Sequence, residues 1–531
     1  MYINIYIDDE LNIKVKSPNE SIRLLKVACV FDSFTMKCYE SIVDLIPISY
    51  NGWKDEISKN KPDIFFVESA WNGIYNTWNN KLSNRKHDVD ENLKSIIQWC
   101  NYNNVPTVFW NKEDPVHYNN FLDVAKLFDY VFTTDEDSIS KYKVDLNHEN
   151  IYTLPFAANP KIHNPIKLQD KRIDKSCFAG SYYRNRYKER REDLKKLFNL
   201  AIEYTDLDIY DRNYKFNNPI TRFPSIFNDY IKGYLDVDNI YKANKGYKIS
   251  LNVNSVKNSP TMFSRRVFEC LASGTPIISS YSLGINNLFS GLVVASDKED
   301  ELREEFIRLK DDNYYYDKVV RGIREVLKNH TYQKRLSFIL DKIGINIIRK
   351  NISLGILSRI DTLEEYKTLK DIYLKQTYKY KKLYILTQNK LLYDFLLKMN
   401  EIVVIYCDKN NMKKDIKSLL DTDYIGFINT KNIYGDFYFE DLMIGRLYSN
   451  AEIIGKCSFY EINKSGSLNL VNENMDFRYV DNLDLDKCII KKEILNCNKL
   501  EEIIKYIDNN EIDDIDYTYF SIDKNNLTKI K

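Results

Sequence analysis

At 531 residues the chain is too long for a single hydrophobic core and predicts two to four domains. Its 77 basic residues balance 76 acidic ones, so at a net charge of +1 no global field points to nucleic acid or an acidic membrane surface as partner. The nine cysteines form no C-x-x-C pair and no metal-ligand spacing, which predicts a reduced, intracellular protein, and no run approaches the ~20 apolar residues that cross a bilayer.

The first twenty residues, with alternating apolar and acidic side chains, read as a strand-like lead or hairpin rather than a cleaved leader. LLKVACVF (24–31), IFFVES (64–69), VPTVFW (105–110) and FDYVFTTD (128–135) are continuous apolar runs, as expected of parallel strands covered on both faces. Helical segments separate them, among them an amphipathic helix over 89–103. The alternation predicts an α/β fold built on a doubly wound parallel sheet, whose ligands sit beyond the carboxyl ends of the strands.

Three of those ends are polar. IFFVES runs into AWNGIYNTW, with Glu68 at the strand tip followed by Trp71, Asn72 and Trp78. A Trp face can stack on a sugar ring or fill a core. VPTVFW runs into NKEDPVH, which crowds Glu113, Asp114 and His117 at one tip, a pattern that suits a proton acceptor. TTDEDS, after the next strand, reads as helix capping.

The proline-bounded stretch IYTLPFAANPKIHNP predicts a linker near 155–170, with a first lobe over 1–165. CFAGSYY then opens a second lobe with a strand ending at Gly180. The following RNRYKERREDLKK suits either a diphosphate cradle at Gly180–Ser181, with Tyr182 and Arg186 beside it, or a solvated helix face. LDIYDRN (207–213) and YKISLNVNSV (247–256) are further strands, whose Tyr210, Asp211, Asn252 and Asn254 fit a nucleotide pocket or a core equally.

SPTMFSRRVFECLASGTPIISSY (259–281) reads as a helix, with Met262, Phe263, Val267, Phe268, Leu271 and Ala272 on its buried face, feeding a core strand through a Gly274-x-Pro276 turn. Arg265, Arg266 and Glu269 break the apolar pattern. A guanidinium can grip a diphosphate and a carboxylate can accept from two sugar hydroxyls, so the stretch suits either a nucleotide-sugar site or a charged surface helix.

RRVFECLASGTPIISSY resembles the C-terminal lobe of GT-B glycosyltransferases, and within them the CgeB-like (spore-maturation type) branch with its R-x-F-E-x-x-A-x-G-x-P pattern. Arg266, Phe268, Glu269, Ala272, Gly274 and Pro276 fall on it. ESAW, FWNKEDPVH, LFDYVFTTD and LPFAANPKIHNPI are similar to the N-terminal lobe of the same branch, so the resemblance covers roughly residues 20–345. It implies a GT-B fold of two Rossmann-like lobes. The first, 1–165, would take the acceptor at Glu68, Trp71 and Asn72. The second, 166–345, would take a nucleotide-diphosphate sugar, a UDP-sugar first, at Gly180, Ser181, Tyr182, Arg186, Asn254, Arg266 and Glu269. An inverting reaction would need a general base, Asp114 first, then Glu113 and His117; a retaining one would use these residues to orient the acceptor. Retaining relatives carry a second glutamate eight positions before Glu269, where this chain has Thr261.

The resemblance further implies a metal-independent hexosyltransferase with no cofactor beyond its donor substrate. It would act in the cytoplasm or at the inner face of the membrane on a bacterial surface glycan, wall polymer or protein. A non-catalytic sugar-nucleotide- or glycan-binding scaffold, and an epimerase or phosphorylase on the same fold, remain the alternatives. Residues 346–379 read as a helical connector and 380–531 as a separate α/β domain. YIGFINTKNIYGDFYFEDLMIGRLYSNAEIIGK there resembles part of a GT-A, family-two-like domain. Asn429, Thr430, Lys431 and Asn432 stand where active relatives carry metal-binding aspartates, which implies a degenerate module for acceptor holding, oligomerisation or assembly.

Overall fold

A computed structural model describes residues 4–8, 12–16, 21–83, 89–216, 218–399, 401–495, 499–509 and 517–531. The chain divides into two compact units, Met1–Arg349 and Lys350–Lys531.

The first unit holds two α/β lobes. In the N-terminal lobe six parallel strands lie in the spatial order Asp44–Pro47, Lys26–Val30, Ile64–Glu68, Thr107–Asn111, Tyr130–Thr133 and Ile151–Thr153. Side chains alternate across a strand, so each apolar run supplies two cores. Phe65, Val67, Phe109 and Val131 enter one layer; Ile64, Phe66, Val108 and Phe132 enter the other. The expected lead is an antiparallel hairpin, Asn4–Asp8 with Ile13–Lys16.

The second lobe repeats the plan in the order Ile231–Gly233, Leu207–Asp211, Ile173–Gly180, Tyr247–Asn252, Ile277–Ser279 and Val294–Ala295, again all parallel. This is a two-lobed, doubly wound α/β architecture, the GT-B arrangement expected above.

Three boundaries differ from the sequence reading. The helix after Ser259 spans only Arg266–Ala272; Met262 and Phe263 precede it in irregular backbone. That backbone is committed elsewhere. The Ser259 hydroxyl donates to Asp135 Oδ1 at 2.5 Å, and Thr261 Oγ1 accepts from the Glu136 N–H at 2.9 Å and donates to the Thr134 carbonyl at 2.8 Å. Second, the helix Tyr332–Lys342 falls within the span 166–345 expected for the second lobe but packs on the first. Tyr332, Leu336, Ile339 and Leu340 belong to the core of the first. Third, the expected helical connector contains two strands, Asn346–Lys350 and Leu354–Arg359, and helix only over Leu363–Lys375, which a Thr362–Glu365 capping box starts.

The second unit therefore begins before residue 380. Leu354–Arg359 is an interior strand of an eight-stranded mixed sheet, paired in parallel with Lys381–Thr387 and Tyr424–Phe427. A smaller four-stranded sheet contains Ile433–Tyr434, Phe459–Ile462, Leu468–Val471 and Leu527–Ile530. Asn432 Nδ2 donates to Asp486 Oδ2 at 3.2 Å, and a buried Lys456 pairs with Asp523 at 3.0 Å. Cys497 lies outside the described residues. Among the described residues no helix is long and apolar enough to cross a membrane.

Candidate functional site

Strand order reverses in the first lobe between Lys26–Val30 and Ile64–Glu68, and in the second between Ile173–Gly180 and Tyr247–Asn252. Chains leaving such neighbouring strands in opposite directions open a crevice at the carboxyl ends. Residues from both crevices line one cavity of about 540 Å³: Asp32, Phe34, Asn72, Gly73, Tyr75 and Asn76 from the first lobe, Gly180, Arg212 and Ser264–Arg266 with Glu269 from the second.

On the second-lobe wall the close approach at Gly180 matters. A Cβ there would stand 2.8 Å from Phe178 Cζ and 3.3 Å from Arg266 Nη2. The Arg266 guanidinium donates to the Ala179 carbonyl and to Asn252 Oδ1 at 3.3 Å, and lies 5.2 Å from the Phe178 ring centre. It thus bridges the tips of both switch-point strands. Arg265 stacks 3.4 Å from the centre of the Phe34 ring of the opposite lobe, with its Nε 3.2 Å from Glu269 Oε1. Arg212 adds a third guanidinium to the wall.

Among the described residues, Glu269 is the one carboxylate on that wall. Asn244 Nδ2 donates to its Oε2 at 3.3 Å, and His163 Nε2 stands 3.9 Å from Oε1. Burial pushes its acidity toward higher pH, but Arg265, His163 and Arg266 outweigh burial, so the group stays ionised below the usual carboxylate range. Burial lowers the His163 pKa, against the opposing pull of Glu269. A wall with three guanidiniums and one paired carboxylate suits a dianion beside hydroxyl donors.

The facing wall is organised by Glu68, which is wholly buried behind the cavity. Its Oε1 accepts from the Asp32 N–H at 2.6 Å and from Lys112 Nζ at 2.8 Å; its Oε2 accepts from the Thr35 hydroxyl at 2.6 Å. Burial pushes the Glu68 pKa up, against Lys112. Burial would lower that of Lys112, but Glu68 and Asp32 raise it overall. Asp32 itself reaches the cavity. Its Oδ1 accepts from the Gly73 N–H at 2.9 Å, and its Oδ2 from Lys112 Nζ at 3.2 Å.

Of the residues expected from sequence, Asn72, Gly180, Tyr210, Arg265, Arg266 and Glu269 lie on the cavity. The others do not, each for a local reason. Asp114 is completely buried and accepts from Thr133, Asn111 and Tyr142 inside the first lobe; burial pushes its pKa up to about 7. Glu113 precedes it in a turn, its N–H donating to Asn111 Oδ1. The His117 ring is edge-on to Trp71 at 5.1 Å, and Trp71 in turn is edge-on to the core residue Phe121. Asp114 and His117 are therefore held in the lobe's own packing, and Glu68 holds the Asp32 N–H from behind.

On the donor side, Ser181 is buried with a hydroxyl that has no partner among the described residues, and Tyr182 packs on Phe223 at 5.3 Å. Asn254 Nδ2 donates to Ser279 Oγ and the Ser280 carbonyl. Arg186 is exposed and its carbonyl accepts from Arg191. The basic run holds its own loop: Arg184 binds the Arg222 and Phe223 carbonyls, and Arg190 that of Ser181. The helix begins at Lys188, seven residues past Ser181, which separates its N-terminus from the glycine turn.

Sequence reasoning missed Asp32 and Arg212. Arg212 immediately follows a strand and Asp32 comes two residues after one, both near a switch point, so the positional rule applied to VFD and IYDR would have found both.

Residues 189–341 match a family model described as glycosyl transferase-like, which covers less than half of the chain. Spore protein CgeB of Bacillus subtilis (strain 168) is 21% identical over 179 residues, 33% of this chain and 56% of that protein; the chain thus spans little more than half the length of this curated relative. Among solved structures, a glycosyltransferase from Rickettsia africae is 12% identical, with a TM-score of 0.39 over 60% of this chain and 99% of that one. Anabaena Alr3699/HepE in complex with UDP and glucose is 10% identical, with a TM-score of 0.38 over 60% and 91%. Likenesses this distant bear on neither substrate nor mechanism.

Proposed function

We propose that the protein is a glycosyltransferase that moves a sugar from a nucleotide-diphosphate sugar, a UDP-sugar, to an acceptor entering from the first lobe. The observation that carries this reading is the pairing of Arg265 and Arg266 with Glu269 on one wall of an open cavity between two lobes. The guanidiniums of Arg212, Arg265 and Arg266 answer a diphosphate, and Glu269, kept ionised, answers sugar or ribose hydroxyls. The glycosyl transferase-like match over residues 189–341, which contains all of these except the strand ending at Gly180, supports it.

The leaving diphosphate needs positive charge, which these side chains supply. The acceptor is a bacterial surface glycan, wall polymer or protein, and the reaction takes place on the cytoplasmic side of the membrane. The second unit is a degenerate GT-A-like module without its own chemistry. Asn429, Thr430, Lys431 and Asn432 offer no anionic metal ligand, and Asn432 is spent on Asp486.

The test is turnover by the full chain on UDP-, GDP-, dTDP- and CDP-sugars, with water or added glycosides as acceptor, repeated with Glu269→Ala. Release of nucleotide diphosphate by wild type and its loss in the variant is expected. Tight nucleotide-sugar binding without turnover would replace this reading with the scaffold, and release of a rearranged free sugar with no glycoside would replace it with an epimerase.

A further inference from the structure

If the cavity transfers a sugar, something must accept the proton of the attacking hydroxyl. This inference rests on the reading above. We propose that Asp32 is that general base and that the reaction inverts the anomeric carbon.

Asp32 is the only carboxylate that the first lobe contributes to the cavity lining among the described residues, and the first lobe contributes no histidine there. It is built in from three sides. Its backbone N–H is held by the buried Glu68, its Oδ1 by the Gly73 N–H and its Oδ2 by Lys112. A carboxylate oxygen has two lone pairs, and each of these oxygens has spent one, so one on each remains for a substrate hydroxyl. The side chain is 24% exposed, enough to touch a ligand, whereas the Glu68 side chain behind it is 0% exposed.

The alternatives on the same cavity are used up. Glu269 is on the opposite wall and is committed to Arg265 and Asn244. A retaining mechanism with a second donor-lobe glutamate has no such group at Thr261, whose hydroxyl is bonded to the Thr134–Glu136 loop of the other lobe. Asp32 and the three guanidiniums line the same cavity from different lobes, so base and leaving group can be held on separate walls.

The step balances as follows. The acceptor oxygen bonds to the anomeric carbon on the face toward Asp32, and its proton passes to a free Asp32 lone pair. The bond from that carbon to the diphosphate oxygen breaks, and its electron pair leaves on the diphosphate beside Arg212, Arg265 and Arg266. The proton is then released to water.

The experiment pairs stereochemistry with substitution, using the full chain, a UDP-hexose and p-nitrophenyl hexosides as acceptors, or water where none is taken. Wild type is expected to give a product whose anomeric proton coupling, read by NMR at early times, is opposite to that of the donor. Asp32→Asn is expected to lower the transfer rate about 100- to 10,000-fold while the UDP dissociation constant changes less than about threefold, because the nucleotide is held by the other wall. Retention of configuration in wild type overturns the proposal without any variant, as does transfer by Asp32→Asn within tenfold of wild type. Failure of wild type to turn over any nucleotide sugar sinks the transferase reading itself, and this base with it.

Discussion

The Thr261 hydroxyl donates to the Thr134 carbonyl at 2.8 Å and so ties the donor-side lobe to the loop that follows the fifth strand of the other. Beside it the Ser259 hydroxyl meets Asp135 Oδ1, a carboxylate that is 2% exposed and has Ser138 on its other oxygen. The clasp is neutral at Thr261 and ionic at Ser259, and a hydrogen bond to a charged group contributes about twice as much as a neutral one. Thr261→Val should therefore cost about 1 kcal/mol of unfolding free energy and Ser259→Ala about 2 kcal/mol. Urea denaturation would read both. Equal costs, or none for Ser259→Ala, would remove the ionic clasp from the account.

Lys112 stands between two carboxylates, 2.8 Å from Glu68 and 3.2 Å from Asp32. Lys112→Met leaves Glu68 buried without its cation, a loss of about 3–5 kcal/mol near pH 7. The sign with pH follows from the Glu68 shift. Its folded pKa is already raised by burial, and loss of Lys112 raises it further. The folded state then prefers the protonated acid, so the deficit shrinks as pH falls and grows as pH rises. Glu68→Gln in the same background should recover part of the loss at pH 8. A pH-independent deficit would show that Lys112 matters for packing alone.

Asp114 offers a second, separable titration. Burial raises its carboxyl from 3.8 to about 7. Its contribution to stability is complete below the unfolded value and disappears as pH climbs through the folded one. Between about pH 4 and pH 7 the wild type should therefore lose stability relative to Asp114→Asn by on the order of 4 kcal/mol. Parallel pH profiles for the two proteins would contradict this.

The strands were legible because each is an apolar run with both faces buried. Phe65, Phe66 and Val67 leave no polar side to mistake for a surface. The strand Leu354–Arg359 is buried on both faces too, yet its short LGILSR run lies between charged segments and a well-capped helix, and it merges with that helix on periodicity. At the site, Gly180, Arg266 and Glu269 announce themselves through residue types that a surface helix does not require. Asp114 drew attention because crowded carboxylates and a histidine look like chemistry, whereas Thr133, Asn111 and Tyr142, which hydrogen-bond its buried carboxyl, are scattered over thirty residues. Asp32 hid for the opposite reason: a lone aspartate before a helix reads as a cap, yet its side chain makes no capping bond.

The helix Tyr332–Lys342 has a consequence for how the molecule is made. Tyr332, Leu336, Ile339 and Leu340 seal an apolar layer whose other members begin at Ile5. Residues 1–165 leaving the ribosome carry an uncovered floor until more than three hundred residues have been synthesised. The first lobe to be translated is thus among the last to be sealed, and severing the chain at the interlobe linker would yield two fragments of which the earlier is sticky.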